Sequence, residues 1–158
     1  MDEFMQVALE EAQASGREGG FPVGSVIVRD GAIIGRGRNR FTQSGDPTTH
    51  AELEAIRDAT VGVGGARSAD SLEGATCYTT MMPCEMCTGA LIRFGIAAVV
   101  VAECESYIDA GTAPLFEKQG ISVQIGSEQQ CIDVVNAYLT EHPEVASRLG
   151  DNRRKLKL

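Results

Sequence analysis

Apolar residues at Met1, Phe4, Met5, Ala8, Leu9 and Ala12 recur three and four apart, which places them on one face of a helix. The pattern predicts an amphipathic first helix that ends at Gly16, where a glycine relieves left-handed strain. From Val23 to Val28 the chain turns β-branched, and Asp30-Gly31 follows as a tight hairpin signal before Ala32 to Arg38. Two short antiparallel strands are expected there.

Thr49, with Glu52 three residues later, resembles a capping box opening a second helix through His50-Ala51-Glu52-Leu53-Glu54-Ala55-Ile56. Val61 to Gly74 is rich in Gly and Ser and reads as a surface loop, and Ala75 to Thr80 reads as the third strand. Pro83 suits the first turn of a helix running from Cys84 to Phe94. Ile96 to Ala102 is continuously apolar, the pattern of a strand buried on both faces of an α/β sheet. The 18 residues between Ala102 and Ile121 suit a helical crossover to a parallel strand, Ile121 to Ile125. A last helix, Glu128 to Thr140, ends before Pro143. The sum is an α/β fold, a five-stranded mixed sheet with helices on both faces.

A chain of 158 residues, 43% of them hydrophobic, can fill one core, and no linker or repeat divides it. Residues 1–158 are therefore expected to form a single domain. The longest apolar run, Ile96 to Ala102, is far short of the ~20 residues of a membrane span. The start Met1-Asp2-Glu3 lacks the basic and apolar regions of a secretory signal, so a cytoplasmic protein with no membrane partner is expected. That setting is reducing. With Cys77, Cys84, Cys87, Cys104 and Cys131 odd in number, disulfides give way to metal binding or burial, and packing suffices for Cys77, Cys104 and Cys131. A net charge of -8 repels polyanions and argues against nucleic acid as a partner. Basic residues cluster at Arg36/Arg38/Arg40 and at Arg153-Arg154-Lys155, and the second cluster reads as a solvated tail.

The chemistry concentrates in His50-Ala51-Glu52 and, thirty residues on, Pro83-Cys84-Glu85-Met86-Cys87. Alone, a C-x-x-C is shared by redox pairs and structural zinc sites, and a single His is an ordinary structural residue. Together, H-x-E and P-C-x-x-C are the signature of the zinc nucleobase deaminases. Cys84 and Cys87 fall in the first turn of a helix, where unpaired N–H groups and the positive dipole end favour thiolates. His50 opens another helix, so two helix starts can converge on one zinc ion per chain. Three protein ligands leave a fourth tetrahedral position to water, the arrangement of a catalytic zinc. Water bound there loses a proton near neutral pH. Glu52, two residues from a ligand, is expected to shuttle protons; its structural alternative is the capping-box partner. A redox pair would leave His50-x-Glu52 unexplained.

The whole chain resembles the cytidine deaminase superfamily, and within it the fungal-type cytosine deaminases. The likeness is carried by Glu18-Gly19-Gly20-Phe21-Pro22-Val23-Gly24, Gly35-Arg36-Gly37-Arg38-Asn39, Tyr78-Thr79-Thr80 and Pro83-Cys84-Glu85-Met86-Cys87-Thr88-Gly89-Ala90, and it continues from Phe94 into the last helix. It implies a three-layer α/β/α domain with strand order 2-1-3-4-5, a homodimer, and a planar pocket for a free base. By the same resemblance, Asn39 and the Ala51 N–H hydrogen-bond the ring, Val23, Met81 and Met82 line the pocket, and Tyr107 closes as an aromatic lid. For Asn39 a left-handed turn after the second strand is the structural alternative. For Tyr107 it is simple packing.

Three departures stand out. Ala51 replaces a glycine, Met81-Met82 replace Leu-Ser, and the C-terminal gate, a Trp followed by an Asp, reads Ala146 and Leu149 here. Asp151, two residues further, could supply the missing carboxylate. The function expected is zinc-dependent deamination of a free pyrimidine base, cytosine or isocytosine. A tRNA adenosine deaminase, a guanine deaminase and a zinc-stabilised interaction module are the alternatives.

Overall fold

In the computed structural model, which describes residues 1–61, 72–106 and 111–147, one five-stranded sheet organises the chain. Asp2 caps the first helix, α1 (Glu3–Arg17), accepting from the N–H groups of Phe4 and Met5. Gly16 lies inside that helix and does not end it. Glu18 is the C-cap, and the left-handed residue is Gly19, at φ 81°. The expected stop was three residues early because Ser15 and Gly16 still have α1's fourth turn to complete.

The hairpin β1 (Gly24–Arg29) and β2 (Ala32–Arg38) turns at Asp30-Gly31 as expected, both residues at positive φ. A one-turn helix that the pattern did not predict, α2 (Phe41–Ser44), leads to α3 (Ala51–Val61). Then come β3 (Thr76–Thr79), α4 (Glu85–Arg93), β4 (Ala98–Val101), α5 (Ala113–Lys118), β5 (Ser122–Ile125) and α6 (Gln129–Glu141). The strands lie in the order β2-β1-β3-β4-β5. β1 pairs antiparallel with β2 and β3, and β4 runs parallel to both β3 and β5. Most of the loop expected over Val61 to Gly74 falls outside the described residues.

Strand alternation divides the interior into two layers. Ile27, Cys77, Val99 and Val101 face α3, α4 and α5, where Ala55, Ile56, Leu91 and Phe116 complete one core. Val26 and Val28 face the opposite way, against Met5, Ala8 and Leu9 of α1 and Cys131 of α6. β4 is not sealed on both sides as its apolar run suggested. Val99 and Val101 are buried, while Ala98 and Val100 are half-buried on the thinner α1/α6 side. Cys77, Cys104 and Cys131 do pack into these cores, and all five cysteines are free.

Glycines set how closely helix and sheet approach. A Cβ on Gly24 would lie 2.0 Å from the Ala8 carbonyl oxygen, and one on Gly37 would lie 2.2 Å from that of Ala51. The first seats α1 on β1. The second seats the start of α3, and with it the candidate site, on β2.

Candidate active site

α3 and α4 begin beside one another. His50 immediately precedes α3, while Cys84 is the N-cap of α4 and Cys87 its third residue. The segment delivering His50 is braced from several sides. The buried Ser15 hydroxyl donates to the Asn39 carbonyl at 2.6 Å, Asn39 N–H donates to Val23 at 2.9 Å, and Arg40 N–H donates to Thr49 at 2.9 Å. Cys84 is braced through Pro83, whose carbonyl accepts from the buried Thr112 hydroxyl at 2.8 Å and from Thr88 at 3.4 Å.

The three ligating atoms form a nearly equilateral triangle. His50 Nδ1 lies 3.6 Å from each sulfur, and the sulfurs are 3.7 Å apart. A tetrahedral zinc with thiolates at about 2.3 Å and imidazole at about 2.0 Å requires edges of about 3.6 and 3.8 Å. The residues present therefore fit one zinc ion, and no fourth ligand joins them among the described residues. Among the described residues they are the one His/Cys/Asp/Glu group gathered tightly enough to hold a cation. Cys84 is held down to about 4 by Cys87 and by the His50 ring, while Cys87 is pushed up by Cys84 and by burial. The Cys84 contact raises His50 in turn.

Glu52 is 3% exposed, and that burial raises its carboxyl above the usual range. Its Oε1 accepts from the Thr79 hydroxyl at 3.2 Å. The capping box expected from Thr49 and Glu52 does not form. The Thr49 hydroxyl is occupied by the Asp46 carbonyl at 2.7 Å and by Ser44 at 3.0 Å, and Glu52 turns inward instead.

A cavity of about 360 Å³ opens onto His50, Glu52 and Cys84. Val23, Asn39, Ala51, Met81 and Met82 all line it. Asn39 is not a left-handed turn residue; its Oδ1 accepts from Phe41 N–H at 3.1 Å. Among the described residues no acceptor takes the Ala51 N–H, one of the unpaired donors of α3's first turn.

Phe21, Phe41, Thr42, Tyr138 and Val145 complete the lining, and none had been predicted. Tyr138 meets Phe21 edge-on at 5.4 Å and lies 4.2 Å from the His142 ring. Its place on the apolar face of α6 made it look like core, whereas Phe21 carried a signal in the Gly-Gly-Phe-Pro stretch of the resemblance. Near the expected gate the wall is Val145, with Ala146 beside it half-buried. Tyr107, Leu149, Asp151 and Arg153-Arg154-Lys155 lie outside the described residues. The crossover before Tyr107 is anchored by the fully buried Glu103, which accepts from the N–H groups of Glu105 and Ser106 and from the Ser106 hydroxyl.

Comparison with known proteins agrees with this geometry. The family described as the cytidine and deoxycytidylate deaminase zinc-binding region matches residues 1–103. The cytosine deaminase of Candida albicans is 34% identical over 141 residues, 89% of either chain. The guanine deaminase of Bacillus subtilis is 41% identical over 125 residues, 78% of this chain and 76% of that one. A solved structure from work on A-to-I editing by tRNA:A34 deaminases superposes with a TM-score of 0.69 at 30% identity, covering 83% of this chain and 97% of that one. The sheet order, the zinc-sized triangle of His50, Cys84 and Cys87 and these matches agree: the chain belongs to the cytidine and deoxycytidylate deaminase family.

Proposed function

We propose that this hydrolytic deaminase acts on a free pyrimidine base, cytosine or a close relative such as isocytosine, and releases ammonia. The observation that carries the proposal is the 360 Å³ cavity, which is small, walled mainly by apolar side chains, and open to Glu52, His50 and Cys84 together. His50, Cys84 and Cys87 would hold zinc, which would supply a water acidic enough to react near neutral pH.

Glu52 moves the protons. It takes a proton from the attacking water and gives it to the ring nitrogen beside the amino-bearing carbon as the oxygen joins that carbon, then takes the second proton from that oxygen and delivers it to the amine as the C–N bond breaks and the carbonyl forms. Its burial, which favours the protonated form, suits a group that must give as well as take. Val23, Met81 and Met82 hold the flat ring, the Ala51 N–H meets its carbonyl oxygen, and Asn39 bonds its polar edge. Tyr107 as lid and Asp151 as replacement carboxylate belong to the same proposal. So does residues 1–158 acting as one deaminase unit, in a cytoplasmic homodimer serving pyrimidine salvage. The 89% mutual coverage with a cytosine deaminase and the free cysteines support this.

Adenosine in tRNA is a second reading, favoured by the likeness to the tRNA:A34 deaminase structure. Charge opposes it. The net charge is -8, and Arg38, at the centre of the described basic cluster, is held by Glu11 at 2.9 Å and Glu18 at 2.7 Å. Ammonia release from cytosine, isocytosine, 5-fluorocytosine, guanine, adenine and their nucleosides tests the choice. A free pyrimidine is expected to lead; a lead for guanine or for any nucleoside overturns the assignment.

A further inference from the structure

We propose that Thr79 is the positioning residue that aims the Glu52 carboxylate, its hydroxyl holding Oε1 from the end of β3. The inference rests on Glu52 carrying the protons as proposed above. Glutamate has three rotatable bonds, and one on the first turn of a helix can swing between cavity and solvent. Something rigid must choose for it. Thr79 is fully buried and β-branched, with its backbone in the sheet opposite Ser25 on β1 and Val101 on β4. Its hydroxyl, with one proton to give, lies 3.2 Å from Glu52 Oε1 and 3.1 Å from the Met81 carbonyl, so the two oxygens share that proton in a bifurcated bond. One side chain thus ties the proton carrier to the strand end from which the Met81-Met82 cavity wall departs.

Among the described residues, the other donors within reach of the carboxylate are different in kind. One is Glu52's own backbone N–H, which moves with α3. The other is the Cys87 side chain. Cys87 is a metal ligand, and a ligating thiolate has no proton to donate. Among the described residues, Thr79 is the side-chain donor that persists when the site is loaded. Without it, a buried carboxylate oxygen loses its partner, and such a group rotates to find another.

The test uses the zinc-loaded full chain with cytosine and isocytosine, comparing Thr79→Val, which keeps the shape and removes the hydroxyl, with Thr79→Ser. Thr79→Val is expected to lower kcat by about 10- to 100-fold with KM changed less than about threefold and one zinc retained per chain, since geometric positioning acts on the chemical step. Thr79→Ser is expected to recover most of the rate. In a Glu52→Gln background Thr79→Val should cost nothing further, because a residue acting through Glu52 has nothing left to aim.

A kcat within threefold of the parent overturns the proposal, as does a serine variant no better than valine. So does a crystal structure of zinc-loaded Thr79→Val with the Glu52 carboxylate unmoved, a readout independent of substrate. If Glu52→Gln itself keeps full turnover, the failure lies with the proton-carrier reading. If Glu52→Gln is crippled and Thr79→Val is not, the failure lies here.

Discussion

At the scale of single residues, the proposed mechanism separates holding a metal from moving protons. His50, Cys84 and Cys87 form the metal triangle, while Glu52 lies buried beside it against Thr79. Glu52→Gln should keep one zinc per chain and lose roughly two to four orders of magnitude in turnover, because an amide cannot shuttle a proton. Metal analysis beside steady-state turnover checks both halves; loss of zinc in the variant would place Glu52 among the ligands. The same burial bears on stability in metal-stripped protein. Burial raises the native carboxyl above its ordinary value of 4.5, so the native chain binds a proton that the unfolded chain has released. That contribution is full below pH 4.5 and is lost as pH rises through the native value. The stability of Glu52→Gln relative to the parent should therefore rise with pH across that window, measured by urea unfolding after chelation. A flat difference would show that the carboxyl is not displaced by burial.

At the scale of elements, the metal ligands were legible because two short motifs each open a helix, and helix starts obey local rules. Much of the rest of the cavity wall was not. Phe21, Phe41 and Tyr138 come from a loop, a one-turn helix and the apolar face of α6, and no local pattern brings distant segments together. The capping reading of Thr49 failed for a related reason: a four-residue helix and Asp46 claimed its hydroxyl first. Gly37 is a further case, since its role is visible only once α3 lies on β2. Gly37→Ala would drive a Cβ to 2.2 Å from the Ala51 carbonyl and 2.3 Å from the Ala55 nitrogen, displacing the turn that carries His50 and Glu52. It should cost about 1–3 kcal/mol of stability, the range for overpacking, and weaken zinc binding. Gly89, within α4, has open space where a Cβ would go, so Gly89→Ala should instead add about 0.5–1 kcal/mol. Denaturant unfolding with zinc competition on both variants checks the contrast, and equal effects would mean that close helix-sheet approach does not position the site.

At the scale of the whole molecule, charge weighs for a free base over a base carried on RNA. A polyanion binds by releasing counterions to clustered cations, and its affinity falls steeply with salt. Here the net charge is -8, Arg38 is bound by two glutamates and Arg57 is paired with Glu54 at 2.7 Å. A small neutral base meets none of that repulsion on its way to the cavity. Turnover of cytosine or isocytosine should accordingly change little between about 50 and 200 mM salt, the interval over which a protein making several phosphate contacts loses orders of magnitude in affinity. An RNA hairpin carrying a target adenosine should be left unmodified at both salts. Removing the residues after Gly150, which include Arg153-Arg154-Lys155 and Asp151, separates two roles for that segment. If it closes over a free base, KM for the base rises; if it recruits RNA, base turnover is unchanged. Adenosine deamination in the hairpin that fades with salt and disappears on truncation would reassign this deaminase to RNA, whatever the likeness of its cavity to one for free bases.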